Sequence, residues 1–239
     1  MIIRTYGGPL QGPMRQLQER IVGCRACPRL VEFRERKATA ERRSSFKDWD
    51  YWGAAVPSHG DPNARLLLVG LAPASHGANR TGRMFTGDPT ADFLTKALYR
   101  VGLASQPTSL NRADGLTLVD AFEIAVVRCA PPGDKATPEE QRTCRPYLHQ
   151  EIDLLPNLEA ALAFGRVAFD NFLRAMRERT GLPLRHYFKH GERYDLGEGL
   201  PMLFTTYHPS PRNTNTGRLT APQLDAVLDS VVAFLGEAR

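Results

Sequence analysis

Long apolar runs are missing from this chain. No uninterrupted stretch approaches the roughly 18–20 apolar residues of a membrane span, and the N-terminus shows no apolar core of a secretory leader. A cytoplasmic protein without membrane association is therefore expected. Cysteine is scarce, four in 239 residues, too few for a disulfide-built scaffold. Internal repeats and low-complexity linkers are absent. So is the composition of a disordered chain, since apolar residues make up 42 % and charged residues 24 %. These absences leave a single domain over residues 1–239, with the glycine- and proline-rich residues 1–13 as a loose arm. A monomer is expected. Acidic charge is in modest deficit, giving a formal net charge of +5. Arg greatly outnumbers Lys, and its guanidinium fork suits phosphate. This balance permits nucleic-acid binding without establishing it.

Apolar residues recur with two periods. Arg65 to Val69, Ala121 to Val127, Leu158 to Phe164 and Pro201 to Tyr207 are short, nearly continuous runs, as strands buried on both faces are. Helical patterns separate them. Ala91, Leu94, Ala97, Leu98 and Val101 keep helical spacing up to Gly102, and Thr137-Pro138 reads as an N-cap opening a helix through Leu155. Further helices are expected after Gly165 through Met176, over Leu219 to Leu235, and over Gln16 to Val22. Arg34 to Asp50 reads as a charged loop or helix whose basic face could follow a phosphate backbone, and Arg185 to Leu196 as a hairpin or irregular insertion. Strand and helix alternate four times. The expected fold is α/β, a three-layer α/β/α arrangement around a central four-stranded, mostly parallel sheet.

Two long loops leave the carboxyl ends of expected strands, where open α/β sheets bind ligands. The first, Val69 to Asp88, has glycines for close backbone approach, Pro73, the polar Asn79, Arg80, Thr81 and Arg83, and the flat Phe85. The second, His208 to Thr220, offers Ser, Thr, Asn and Arg donors suited to phosphates. His208, at a strand end, can donate a hydrogen bond to a developing anion. His76 is a candidate to share the site, and His59, His149, His186 and His190 are read as structural or exposed. The cysteines form a C-x2-C pair, Cys24 and Cys27, and a second pair, Cys129 and Cys144, with fourteen residues between them. The first pair suits zinc or a [4Fe–4S] cluster, the wide second pair favours the cluster, and four unrelated buried thiols are the bland alternative. A cluster would staple the N-terminal arm to the sheet in a structural role.

Gly70-Leu71-Ala72-Pro73-Ala74, Asn79-Arg80-Thr81-Gly82-Arg83, Phe85-Thr86-Gly87-Asp88 and His208-Pro209-Ser210 with Asn213 together resemble the family 5 uracil-DNA glycosylases. So do the four cysteines, Arg128-Cys129-Ala130-Pro131-Pro132 and Thr137-Pro138-Glu139-Glu140, and the resemblance spans about residues 20–235. It implies a four-stranded parallel sheet between helices, a [4Fe–4S] cluster on Cys24, Cys27, Cys129 and Cys144, and excision of uracil from DNA, with hypoxanthine or xanthine as further substrates. It makes Gly70, Leu71, Ala72, Pro73, Ala74, Phe85 and Ala125 the base pocket. His208 then stabilises the leaving base, and Asn79 is the candidate to hold the attacking water. Arg83, Ser210, Arg212 and Asn213 are expected to contact DNA.

Two departures stand out. Related families carry a polar, water-activating residue where this chain has Ala72. Close relatives carry an Asn, four residues before the third cysteine, where this chain has Ala125. A less selective pocket is expected. Asp88 reads as a helix-start residue rather than a base, and no lysine is placed as a Schiff-base nucleophile, so a monofunctional enzyme is expected. The rival is a non-catalytic iron–sulfur or zinc nucleic-acid-binding protein of the same fold. A zinc base deaminase is disfavoured because P-C-x-x-C is absent.

Overall fold

A computed structural model describes residues 10–237. Its centre is a parallel sheet built from β2 (Leu66–Gly70), β3 (Ala121–Ala125), β4 (Ala160–Phe164) and β6 (Met202–Thr206). The first three are buried at every position and the fourth at all but Met202, so apolar side chains are needed on both faces. The register sets Gly70 beside Ala125 and Phe164 beside Thr206, which brings the carboxyl ends of all four strands to one edge.

The sheet has six strands rather than the expected four. Two two-residue strands, β1 (His59–Gly60) and β5 (Arg193–Tyr194), pair antiparallel with β3 and β6, giving the order β1-β3-β2-β4-β6-β5. Elements this short show no periodicity; β5 lies within the Arg185 to Leu196 stretch read as a hairpin or irregular insertion, and its antiparallel pairing with β6 is of the hairpin kind. They end the sheet in short antiparallel edges, a usual protection against edge pairing.

One face of the sheet carries an apolar cluster with α1 (Gly12–Val22), α5 (Pro138–Asp153) and α6 (Arg166–Thr180). The other face packs α4 (Pro89–Arg100) and α8 (Ala221–Glu237). The expected helix starts are present. Asp88 accepts the Ala91 N–H at 2.9 Å as N-cap of α4, and Thr137 and Glu140 form a reciprocal capping box on α5. The charged run after Arg34 falls partly in α2 (Pro28–Ala38). Residues 1–9 of the expected arm lie outside the described residues. Leu10 is buried and Gly12 already opens α1, so the arm does not extend to residue 13.

Candidate active site

In this strand order the connections run from β2 to β3 on one side and back to β4 on the other. The topological switch point therefore lies between the carboxyl ends of β2 and β4, where such sheets form a crevice. Beyond β2, Gly70 and Leu71 carbonyls still accept the Val126 and Val127 N–H groups at 2.9 Å. The chain then leaves the sheet through Ala72, Pro73 and Ala74, makes the single turn α3 (Ala78–Thr81), and reaches Phe85. Phe85 takes φ 43°, a conformation rarely adopted by bulky residues. Its ring lies on Gly70, where an added Cβ would come within 2.7 Å of Cζ. Phe85 also meets Phe164, the last residue of β4, edge-to-face at 5.3 Å between centroids. Ala125 belongs to the same apolar cluster as both rings. Phe164 was not singled out from sequence; its position at the end of an expected strand was the available signal.

His208 completes the group. Its ring centroid is 6.5 Å from that of Phe85. Gly165, with φ 85°, lets the histidine in, since a Cβ there would stand 3.2 Å from His208 Cβ. Asn213 donates from Nδ2 to the His208 carbonyl at 2.8 Å, fixing the turn that presents the ring. Burial pushes the His208 pKa down to about 4. The imidazole is therefore neutral at physiological pH. Neither ring nitrogen hydrogen-bonds to protein among the described residues, so an N–H is free to face a ligand. Ser210 N-caps the short α7 (Pro211–Thr214), and Arg212 is exposed without a charged partner among the described residues. Arg218 lies over the Tyr207 ring at 4.4 Å, and His190 stacks on the same ring at 4.6 Å.

The polar residues of the first loop face inward. Arg83, expected to contact DNA, is buried, and its guanidinium holds Asp114 through two bonds of 2.9 and 2.8 Å. It also donates to Thr86 Oγ1 at 2.8 Å and Ser109 Oγ at 3.0 Å. Ser109 in turn donates to the Phe85 carbonyl at 3.0 Å, so this knot holds the unusual Phe85 backbone in place. Four of its five N–H donors are thus taken up within the protein, which leaves one Nη1 hydrogen for the expected DNA contact. Arg80 is clamped between the rings of Phe46 and Trp49 at 3.9 and 4.0 Å. His76 Nδ1 lies 3.0 Å from the Tyr51 hydroxyl. Asn79 is fully buried; its Nδ2 donates to the Arg34 carbonyl at 3.1 Å, and its Oδ1 has no partner among the described residues.

The four cysteines line one small pocket together with Leu30, Val31, Ala55 and Tyr147. Cys27 N-caps α2, Cys129 follows β3 and Cys144 lies within α5. Arg29 on α2 binds Glu140 on α5 at 2.8 and 2.7 Å, closing the rim. As free thiols these groups are poorly placed for charge. Burial raises the pKa of Cys27 and Cys129 and pushes that of Cys144 up to about 12. Arg34 nevertheless directs Nη1 to Cys129 Sγ at 2.8 Å.

Comparison with known proteins agrees with this arrangement. The Uracil DNA glycosylase superfamily model matches residues 57–232. The chain belongs to the uracil-DNA glycosylase superfamily. It is 47 % identical over 226 residues to the type-5 uracil-DNA glycosylase of Mycobacterium tuberculosis, covering 94 % of this chain and 83 % of that protein. It is 45 % identical over 208 residues to the type-5 uracil-DNA glycosylase of Thermus thermophilus, covering 87 % and 92 %. A type-4 uracil-DNA glycosylase of Sulfurisphaera tokodaii is more distant, at 26 % over 204 residues, 82 % of this chain and 74 % of that protein. The type-5 resemblance expected from the motifs holds across most of the chain. His149-Gln150-Glu151 has the H-x-E form found in zinc base deaminases. Its side chains are engaged elsewhere, His149 with Glu178 at 3.0 Å and Glu151 in a buried pair with Arg128.

Proposed function

We propose that this chain is a uracil-DNA glycosylase of DNA repair, a monofunctional N-glycosyl hydrolase that flips uracil from DNA and leaves an abasic site. The observation that carries this reading is His208, a neutral imidazole beside Phe85 at the switch-point crevice. A base inside a duplex must leave the stack, at a cost of a few kcal/mol that is least at a mispair. Phe85 then stacks on the extruded base, an interaction worth about 1–3 kcal/mol. As the glycosidic bond breaks, negative charge grows on the base and positive charge on the sugar. A neutral His208 donates to the base carbonyl without adding a cation opposite that sugar.

For the attacking water we retain Asn79. Its Nδ2 is committed to Arg34, so the role falls to Oδ1, which lacks a partner among the described residues. An amide cannot deprotonate water, and with Ala72 and Ala125 apolar, bond breaking runs ahead of water attack. No lysine lies among the pocket residues, which leaves no route to a Schiff base. Ser210, Arg212 and Asn213 lie on the DNA side, Arg212 offering its free guanidinium to a phosphate. The four cysteines hold a [4Fe–4S] cluster. When bound it supplies no step of the hydrolysis and crosslinks α2, the loop after β3 and α5. Cytoplasmic reducing conditions keep such thiolates available.

The deciding experiment is alkaline strand scission of uracil-containing DNA. The chain cleaves such DNA, and His208→Ala loses about 10²–10³-fold in rate with DNA affinity retained. Intact strands with the unsubstituted protein would favour the non-catalytic binding protein instead. Substrate breadth is a separate test. Ala72 and Ala125 leave the base edge without side-chain readout, so hypoxanthine and xanthine are accepted as well. Ala125→Asn should raise the ratio of uracil to hypoxanthine excision; an unmoved ratio would sink that assignment.

A further inference from the structure

Arg34 is the one buried arginine whose charge has no ordinary complement among the described residues. Its side chain is 2 % exposed. Arg83, Arg128 and Arg145 each hold a carboxylate, from Asp114, Glu151 and Glu178, and Arg80 lies between two aromatic rings. Arg34 makes no ion pair and lies over no ring among the described residues, and it acts on the Glu35 carboxylate only through space. Glu35, the next residue, is paired with the exposed Arg25. Nη1 of Arg34 instead points at Cys129 Sγ, 2.8 Å away, and Nη2 at the Cys24 carbonyl at 3.0 Å. Burying a guanidinium without an anion is costly. The group it faces instead is a cysteine sulfur.

The same residue reaches the base pocket through its main chain. The Arg34 carbonyl accepts from Asn79 Nδ2 at 3.1 Å. Asn79 sits in α3, its N–H bonded to the Ala74 carbonyl at 3.0 Å and its carbonyl accepting from Gly53 at 3.1 Å. One helical residue thus touches a cluster ligand at one end and the loop beneath the base at the other.

We propose that Arg34 is a positioning residue: it neutralises the thiolate cluster and, through Asn79, couples the loaded cluster to the order of the Ala74–Gly82 loop. This rests on the four cysteines holding a [4Fe–4S] cluster. An iron and inorganic-sulfide count on the unsubstituted protein tests that reading separately; a protein without iron overturns the cluster and leaves the Arg34 contacts with no charge to neutralise. With iron present, three variants test the coupling. Arg34→Gln should lose its iron–thiolate visible absorbance to a chelator about tenfold or more faster, the scale of a lost charge-assisted hydrogen bond. Its cluster midpoint potential should fall, because a cation and a sulfur hydrogen bond are removed. Arg34→Lys keeps the charge and should recover most of that potential. Asn79→Ala cuts the other end: hydrogen exchange over residues 74–82 should quicken about fivefold, the scale of one neutral hydrogen bond, with potential and absorbance unchanged. Arg34→Gln should quicken the same segment. If Arg34→Gln does not fold, the Lys and Asn79 variants still decide. A loaded Arg34 variant with the original potential, or an Asn79→Ala loop with the original exchange, overturns the coupling.

Discussion

The loop after β2 and the loop after β6 leave the same edge of the sheet and draw on the same residue types. In the first, Asn79, Arg80, Thr81, Arg83 and Thr86 are all buried. Buried polar groups require internal partners, and most of these find them, among others in Arg34, Gly87, Ser109 and Asp114, while Asn79 Oδ1 and Arg80 Nη1 have none among the described residues. In the second, Arg212, Asn215, Thr216 and Arg218 are exposed, and Asn213 turns inward to hold His208. The first loop is a rigid seat for Phe85. The second presents donors outward and one neutral imidazole inward. Residue type says what a side chain can bind, whereas burial decides whether it binds the protein or a ligand.

The most forceful way to break this comparison is Arg83→Leu. Asp114 would then be buried without its cation. Burial alone would raise the Asp114 pKa, but the Arg83 hydrogen bonds, aided by backbone N–H groups, hold it below the usual carboxylate range. Losing one member of such a pair costs about 3–5 kcal/mol, so urea unfolding should show a loss of that order. Adding Asp114→Leu should restore only part of it, because Asp114 also accepts from Leu110 and Leu116 N–H at 2.7 and 3.0 Å. An Arg83→Leu protein of undiminished stability but weakened DNA binding would move Arg83 into the second class.

His208 gives the next largest effect. Its folded pKa of about 4 lies below the ordinary 6.5. Between these values the unfolded chain takes up a proton that the native ring refuses. This contribution to stability is therefore present at neutral pH, falls as pH drops through 6.5, and levels off below 4. The total is about 3 kcal/mol. His208→Gln should flatten that part of the stability–pH curve, and an identical slope in both proteins would mean that the ring is not held neutral.

The contrast between the loops also marks what was legible in the sequence. The four central strands were legible because burial on both faces forces continuous apolar runs, and Asp88 and Thr137 because capping is local. β1 and β5 were not, because two residues carry no period. The inward bonds of Arg83 were not legible because its partner Asp114 is 31 positions away and neither residue reveals direction. Phe164 looked like core, and becomes a site residue only because the strand order sets β4 beside β2. The grouping of the four cysteines that their spacing suggested is matched by the one pocket they line. Arg34 was hidden in a charged run whose other members are mostly exposed.

Arg212 tests the outward half of the comparison and should give the smallest effect. Its guanidinium is exposed and unpaired, so Arg212→Ala should leave the unfolding midpoint unchanged. If it neutralises one phosphate, the slope of log binding constant against log salt should become shallower by about 1, equally for different sequences. Anisotropy titrations over a salt series with uracil-free duplex would isolate this from chemistry. An unchanged slope would mean that the loop after β6 presents His208 without gripping the backbone, and the difference between the loops would then reduce to the single imidazole.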